Sequence, residues 1–438
     1  MKYTQHSLAA NKKIEKDLKL ICRKIKENVP DLVSIILTGG FAKGEGSVKL
    51  EGGKIFPFND YDIYFITQNP KKEAEIHQLT KICNTVLGKE GQPFYGFDIF
   101  HDFRKKFFVD LHHLPLSKLS QLPPIIRYYE LRNHNIILFG KDVSSKIPDY
   151  KLKEVCFPSE AIRLVFNRMT NLAQFLRPRF LVNKQTLSNK EALTYYVCRA
   201  VLSAAAALLM YKKKPEFTVR EVLKTTKESL PKLHPGFARK FPQFLKDLEI
   251  STQWKLKPYS VDVDSIELWF RTRDYLGFLA KYFLEDSLNI KVRDWHHFSK
   301  MMGTRLPQFF YHPYLKHQIK LRLGIENDLF ANLLSFGRKY LNFLYFLRVK
   351  KLTGRYWFSI LTIYPAPDLQ IFSSLPLLLF SINRRGEINR KMLNQAHARL
   401  KKLYPLSEKI PQSSSKFWRK FAEDYGNVYI SFFWQKLV

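Results

Sequence analysis

Cysteine is scarce in this chain. There are four in 438 residues, Cys22, Cys83, Cys156 and Cys198, and no two fall at the short spacing of a zinc site or a redox motif. That excludes a disulfide scaffold and a thiolate zinc ribbon, and it points to a reduced, cytosolic compartment. Acidic residues are also few: 39 Asp and Glu against 72 Lys and Arg, a formal net charge of +33. An excess of this size repels itself unless something anionic is near, such as nucleic acid, nucleotides or an anionic membrane surface; the plainer reading is a surface that is merely basic. The first residues lack the apolar stretch of a secretory signal and read instead as an amphipathic helix, with Ile14, Leu18, Ile21 and Ile25 at helical spacing.

Long uninterrupted apolar runs are nearly missing too. The stretch 192–211 is long enough to span a bilayer but carries Arg199 near its middle, so a buried helix of a soluble bundle is expected. The stretch 356–382 is broken by Pro365, Pro367, Pro376 and Asp368 and reads as a buried, partly extended segment, with membrane-surface contact as the minor alternative and no integral span. What remains is globular in composition, 45% hydrophobic and 25% charged, and long enough for two or three domains.

The periodicity changes along the chain. Up to about residue 150, candidate strands (an apolar run 33–37, 60–67, around 94–103, 105–114 and 135–140) alternate with helices, among them 69–87 with Asn69 as its cap and a stretch near 123–133. From 158 to 290 the apolar residues recur at helical spacing in four segments, as in an antiparallel bundle. The remainder is basic, rich in aromatics and mostly helical. Three consecutive regions follow: 1–150, 151–290 and 291–438. The class expected is α+β, a mixed sheet followed by a helical bundle and a basic helical tail.

Against the general scarcity of glycine, 18 in all, "LTGGFAKGEG" at 37–46 holds four. It follows an apolar strand and precedes "NDYDIYFIT". Carboxylates at i and i+2 of a strand share a face, so Asp60 and Asp62 are expected to project together. Two adjacent aspartates repel each other, and divalent cations bound through oxygen are the usual reason a fold retains such a pair. Gly39 and Gly40 would let the backbone turn sharply and present N–H groups to a phosphate. Glycines for phosphate and aspartates for Mg2+ are the means of handling a nucleoside triphosphate.

These residues resemble the nucleotidyltransferase superfamily that includes DNA polymerase β, CCA-adding enzymes and aminoglycoside nucleotidyltransferases. Locally, Gly39, Gly40, Lys43, Gly44, Glu45, Asp60 and Asp62 match position by position the motif of the nitrogen-regulatory uridylyltransferase. The resemblance covers roughly residues 30–140 and departs from the pattern at 47–58, an insertion read as a hairpin turned at Gly52 and Gly53. It implies a polymerase β-like domain and a third carboxylate on a later strand. Asp110 is the preferred candidate and Asp98 the alternative. It further implies two metal ions, Mg2+ or alternatively Mn2+, held by Asp60, Asp62 and Asp110. Gly39, Gly40 and Lys43 would lie at the phosphates of an NTP, with Arg199 as a cation from the bundle. The implied reaction transfers a nucleoside monophosphate to a hydroxyl and releases pyrophosphate. A small molecule or protein ranks first as acceptor and RNA second, since no RNA-recognition motif is present. The reading of another class is a catalytically silent module that binds RNA or an anionic membrane through its basic tail. Glu45 is expected to act locally as a cap or ion-pair partner, His112 shares the strand face of Asp110, and "DWHHF" at 294–298 reads as packing.

Overall fold

A strand that is apolar but for Ser34, Leu32–Leu37 (β1), lies inside a sheet and needs partners on both edges. In the computed structural model it has them: Tyr61–Thr67 (β4) pairs antiparallel on one side and Ile136–Gly140 (β6) antiparallel on the other. Val109–Pro115 (β5) then pairs parallel to β4, giving a mixed four-stranded sheet in the order β5-β4-β1-β6. The structure describes residues 2–58, 60–88, 109–155, 158–181, 187–302, 367–401 and 411–429, with isolated positions between 316 and 333 and at 406. The expected strand around 94–103, with Asp98, lies outside them.

Between β1 and β4 come a short helix, Gly39–Ala42 (α2), and the hairpin Val48–Glu51 (β2) and Lys54–Pro57 (β3). The hairpin turns where expected: Gly52 and Gly53 both have positive φ, 54° and 72°, as a tight two-residue turn requires. The first helix, Leu8–Asn28 (α1), is capped by Ser7 Oγ, which accepts the N–H of Ala10 at 3.1 Å, and buries Ile14, Leu18, Ile21 and Ile25 against one face of the sheet. Glu73–Val86 (α3) joins that layer. It starts later than expected. Asn69 does not cap it; its N–H donates to Asp31 at 3.1 Å, and the Glu75 carboxylate instead accepts the N–H of Lys72 at 2.7 Å. Ile126–Asn133 (α4) lies on the other face, where Leu131 packs with Ile36, Tyr64 and Ile66.

The remaining α-helices among the described residues are Leu152–Val155 (α5), Pro158–Phe175 (α6), Leu187–Tyr211 (α7), Val219–Leu233 (α8), Pro235–Lys240 (α9), Phe244–Leu256 (α10), Ser265–Leu288 (α11), Pro367–Leu379 (α12), Arg390–Lys401 (α13) and Ser414–Tyr429 (α14). They do not build one bundle followed by a separate tail. The chain forms two units interleaved in sequence: 1–156 with 187–264, and 157–186 with 265–437. In the first, α7 packs against α8 and α10. Its Glu191–Tyr211 stretch is long and apolar enough to cross a membrane, and 89% of its most apolar window is buried in protein. In the second, α6 packs against α11 and α12, with Phe166 stacked on Phe372 at 4.7 Å. There the buried Trp269 and Trp418 donate their indole N–H groups to the carbonyls of Leu172 (3.0 Å) and Leu378 (3.1 Å). Helical periodicity reveals which residues a helix buries, not which helix they are buried against, so a boundary drawn from periodicity alone does not show this exchange.

The segment expected to be partly extended is helical over Pro367–Leu379, even with Pro376 inside it. Proline removes one N–H, and the turn after it is kept by Phe380 N–H, which donates to the Pro376 carbonyl at 2.9 Å.

Candidate active site

The parallel register of β4 and β5 sets Asp62 beside Asp110 and Tyr64 beside His112. With the two-residue period of a strand, all four side chains share one face. The odd-numbered neighbours Tyr61, Ile63, Val109 and Leu111 go into the opposite, α1-covered core. The buried Tyr61 hydroxyl donates to Asp17 on α1 at 3.1 Å and anchors that side of β4. Asp62, Asp110 and His112 each offer one ligand atom, and these atoms lie within 4.8 Å of one another. His112 Nε2 is 3.1 Å from Asp110 Oδ2.

Asp60 stands differently from expectation. It immediately precedes β4, whose first residue is Tyr61, and it is not part of this close cluster. Its charge acts on Asp62 and also on a cationic group: Arg199 from α7 and Lys255 from α10 both feel it. The site therefore has two poles, carboxylates with a histidine on β4 and β5, and cations from the helices beside Asp60.

The glycine loop joins the poles. Thr38 N–H donates to the Asp62 carbonyl at 2.9 Å, which places the end of β1 against β4. Gly39 follows at φ 68°, and a Cβ there would sit 2.0 Å from Asp62 Oδ2. Only glycine tolerates both the conformation and the contact. A Cβ on Gly40 would meet only ordinary contacts, the Glu45 carbonyl at 3.5 Å and Lys255 Nζ at 3.7 Å. Lys43 forms an ion pair with Glu130 of α4 at 2.7 Å. Glu45 does cap a helix, but a distant one: its carboxylate accepts the N–H of Val219, first residue of α8, at 2.9 and 3.0 Å. His113, on the other face of β5, is satisfied by Thr67 Oγ1 at 2.7 Å, as befits a structural histidine.

Electrostatics follow from this placement. Burial, with Asp60 and Asp110 close by, raises the Asp62 carboxyl well above the usual carboxylate range, against the opposing pull of Arg199 and Arg127. Burial acts the same way on Asp110, but His112, Arg127 and Arg199 outweigh it and hold that carboxyl below its ordinary value. Burial disfavours the Arg199 charge, yet the neighbouring Tyr195, Asp60 and Asp62 keep its pKa above the usual one. Burial and the adjacent Arg199 guanidinium bring Lys255 down from 10.5 to about 7. Lys255 Nζ also donates to Ser47 Oγ at 3.0 Å.

Two of these groups carry no legible signal in the sequence. Lys255 sits in "STQWKLKP" and Arg127 in "PPIIRYYELRN", ordinary helical stretches in a lysine- and arginine-rich chain. Only the fold brings them to the site, Arg127 by donating its Nε–H to the Tyr64 hydroxyl. Lys190, like Arg199 a cation that the resemblance allows near the triphosphate, has its side chain outside the described residues.

No protein-family profile matches the chain, and no curated protein matches it. Among solved structures it is similar to the spectinomycin adenyltransferase AAD(9) from Enterococcus faecialis, solved with ATP and spectinomycin. The identity is 11%, the match covers 61% of this chain and 99% of that chain, and the TM-score is 0.36. A likeness at that score transfers neither fold nor function.

Proposed function

We propose that this protein is a metal-dependent nucleotidyltransferase that moves a nucleoside monophosphate from an NTP to a hydroxyl. The observation that carries this reading is the pairing of Asp62 with Asp110 across parallel strands, with Gly39 fitted against the Asp62 carboxylate. The sequence resemblance calls for a carboxylate pair and a third acid on a later strand, after a glycine turn, and the position of Asp110 beside Asp62 supports it as that third acid.

A divalent cation suits the residues present. The donors are hard carboxylate oxygens, burial and the neighbouring Asp60 and Asp110 raise the Asp62 carboxyl, and Gly39 leaves room at Asp62 Oδ2. Asp62 and Asp110 would hold it, with Asp60 able to reach toward the phosphate side. When bound, Mg2+ or Mn2+ would neutralise phosphate charge and lower the pKa of the acceptor hydroxyl.

The chain's own groups divide the remaining work. The hydroxyl oxygen attacks the α-phosphorus in line, and the bond from that phosphorus to the bridging oxygen of the β-phosphate breaks, releasing pyrophosphate. Asp110, kept ionised by the cationic charge around it, accepts the hydroxyl proton. Arg199 and Lys255 face Asp60 from α7 and α10 and would bind the β- and γ-phosphates, with the Gly39–Gly40 backbone beside them. Lys43 joins them only by leaving Glu130. A small molecule or protein is the proposed acceptor, in a cytoplasmic setting.

The test is incubation of full-length protein with each α-labelled ribonucleotide, Mg2+ or Mn2+, and cell extract, with Asp62→Asn as control. Label transferred by the wild type alone, with stoichiometric pyrophosphate, is expected. Nuclease, protease or size sensitivity of the product then identifies the acceptor class. No label with any nucleotide or ion would overturn the reading in favour of a silent module.

A further inference from the structure

We propose that His112 is a direct ligand of the ion held by Asp62 and Asp110, so that this half of the site prefers Mn2+ to Mg2+. The inference rests on the nucleotidyltransferase reading for its purpose, but not for its test.

Strand geometry is the first argument. His112 is two residues beyond Asp110 on β5, on the same face and next to Tyr64 of β4. Its ring leans on the Tyr64 ring, centroids 5.0 Å apart at 42°. Tyr64 is itself fixed by Arg127. The imidazole therefore has a set orientation, and Nε2 points at Asp110 Oδ2. That nitrogen, one Asp62 oxygen and one Asp110 oxygen are mutually close enough to face a single ion. A histidine serving only as packing has no need to aim a nitrogen at the carboxylate pair, and His113, its neighbour, points the other way to Thr67.

Access is the second argument. The side chains of His112 and Asp110 each keep 22% of their surface exposed, so an ion can reach between them. On this face of the sheet Tyr64 and Ile66 pack with Leu131 of α4, and the other face is closed by the α1 core.

Ligand chemistry gives the direction of the preference. Mg2+ requires near-octahedral oxygen coordination and is seldom held by imidazole. Mn2+ accepts carboxylate and imidazole together and precedes the tighter-binding transition ions in the affinity order. Replacing one oxygen ligand by the His112 nitrogen thus penalises Mg2+ more than Mn2+. The phosphate side, lined by Asp60 and the two cations, has no such nitrogen among the described residues. The two ions of the proposed reaction would then differ, Mn2+ at Asp62–Asp110–His112 and Mg2+ arriving with the triphosphate.

The experiment uses the full-length protein, Mn2+ as the probe and no nucleotide. Free Mn2+ is counted by its solution electron paramagnetic resonance signal, and electron spin echo modulation reports a coordinated nitrogen. Wild type is expected to bind Mn2+ with imidazole-nitrogen modulation. His112→Gln should lose that modulation and bind Mn2+ at least about tenfold more weakly, while Mg2+, read by competition, changes little. Nitrogen modulation that persists in His112→Gln, or Mn2+ bound by wild type without it, overturns the ligand role of His112 and leaves nucleotidyl transfer standing. A folded wild type that binds no Mn2+ also overturns it; label transfer with Mg2+ then decides separately whether the functional reading falls too.

Discussion

The Glu45 carboxylate, at the end of the glycine loop, accepts the backbone N–H of Val219, 174 residues further along the chain. A carboxylate at a helix start satisfies an N–H that has no partner within the helix and meets the positive end of its dipole. One side chain thus ties the loop against Asp62 to the helix that packs on α7, the helix carrying Arg199. Both poles of the candidate site depend on it.

Glu45→Ala should therefore cost more than an ordinary cap. Glu45 is buried, 3% exposed, so its loss leaves the Val219 N–H without its carboxylate and opens space. A loss of about 1–3 kcal/mol is expected, seen as a lower urea midpoint at unchanged slope. Activity should fall in proportion to disorder of the loop, as a raised KM for the nucleotide. An unchanged midpoint would mean that solvent replaces the bond without penalty.

Gly39→Ala and Gly40→Ala should separate sharply. The alanine methyl at 39 would sit 2.0 Å from Asp62 Oδ2, on a backbone at φ 68°. Strain of that type is worth about 1–3 kcal/mol, and it displaces the carboxylate that the proposed chemistry requires. Gly40 is free of both faults, with nothing nearer than 3.5 Å. Thermal denaturation and label transfer on the two variants check this. Equal losses in both would refute the assigned role of Gly39.

Much of the site is legible in the sequence, because its parts are local. A strand ending in glycines, a tight hairpin at Gly52 and Gly53, and an acid between apolar neighbours each leave a pattern within about ten residues. Glu45 is recognisable as a cap, but its partner is not, since Val219 is remote and contributes only its backbone. Asp60 and Asp62 are the expected close pair because period-two spacing is visible in sequence. The cluster of Asp62 with Asp110 and His112 is not, since it depends on the register between strands 48 residues apart in numbering, 62 against 110. Lys255 is invisible for a compositional reason: in a chain with 72 Lys and Arg, one more lysine in a helix carries no information. The same limit applies to α6 and α11, whose periodicity marks them as buried helices without revealing that they form a unit apart from α7 and α10.

Lys255 makes stability depend on pH in a definite sense. Its pKa falls from 10.5 to about 7 on folding, by burial and by Arg199, while Asp60 and Glu45 pull the other way and Lys43 adds to the fall. Between pH 7 and 10.5 the unfolded chain binds more protons at this position than the folded one. Stability attributable to Lys255 therefore rises with pH across that window, and its full penalty is felt below about pH 7. Lys255→Met has no such term. The melting temperature of wild type minus that of Lys255→Met should increase from pH 6 to pH 9.5. A flat difference would show that the ammonium is solvated in the folded protein. Triphosphate binding should weaken in the variant, since one of its two proposed helix-borne cations is gone.

Asp62→Asn offers the clearest separation of chemistry from fold. Burial, Asp60 and Asp110 raise the Asp62 carboxyl on folding, so as pH rises from the usual carboxylate range toward that raised value, the folded state is the one that resists losing the proton. Stability from this group is present at acid pH and declines as pH climbs through that interval. Asparagine keeps the shape and removes the charge. At pH 7.5, without divalent ions, the variant should melt at or above the wild-type temperature. Addition of Mn2+ or Mg2+ should then raise the wild type by binding to the folded state alone, and leave the variant where it was. Nucleotidyl transfer should fall by at least about a thousandfold, in line with losing a group that acts on transition-state charge. If Asp62→Asn instead melted several degrees lower without metal, the carboxylate would be a structural acceptor, satisfied by Arg199 and Arg127. The crowding of Asp62, Asp110 and His112 would then need an explanation other than catalysis.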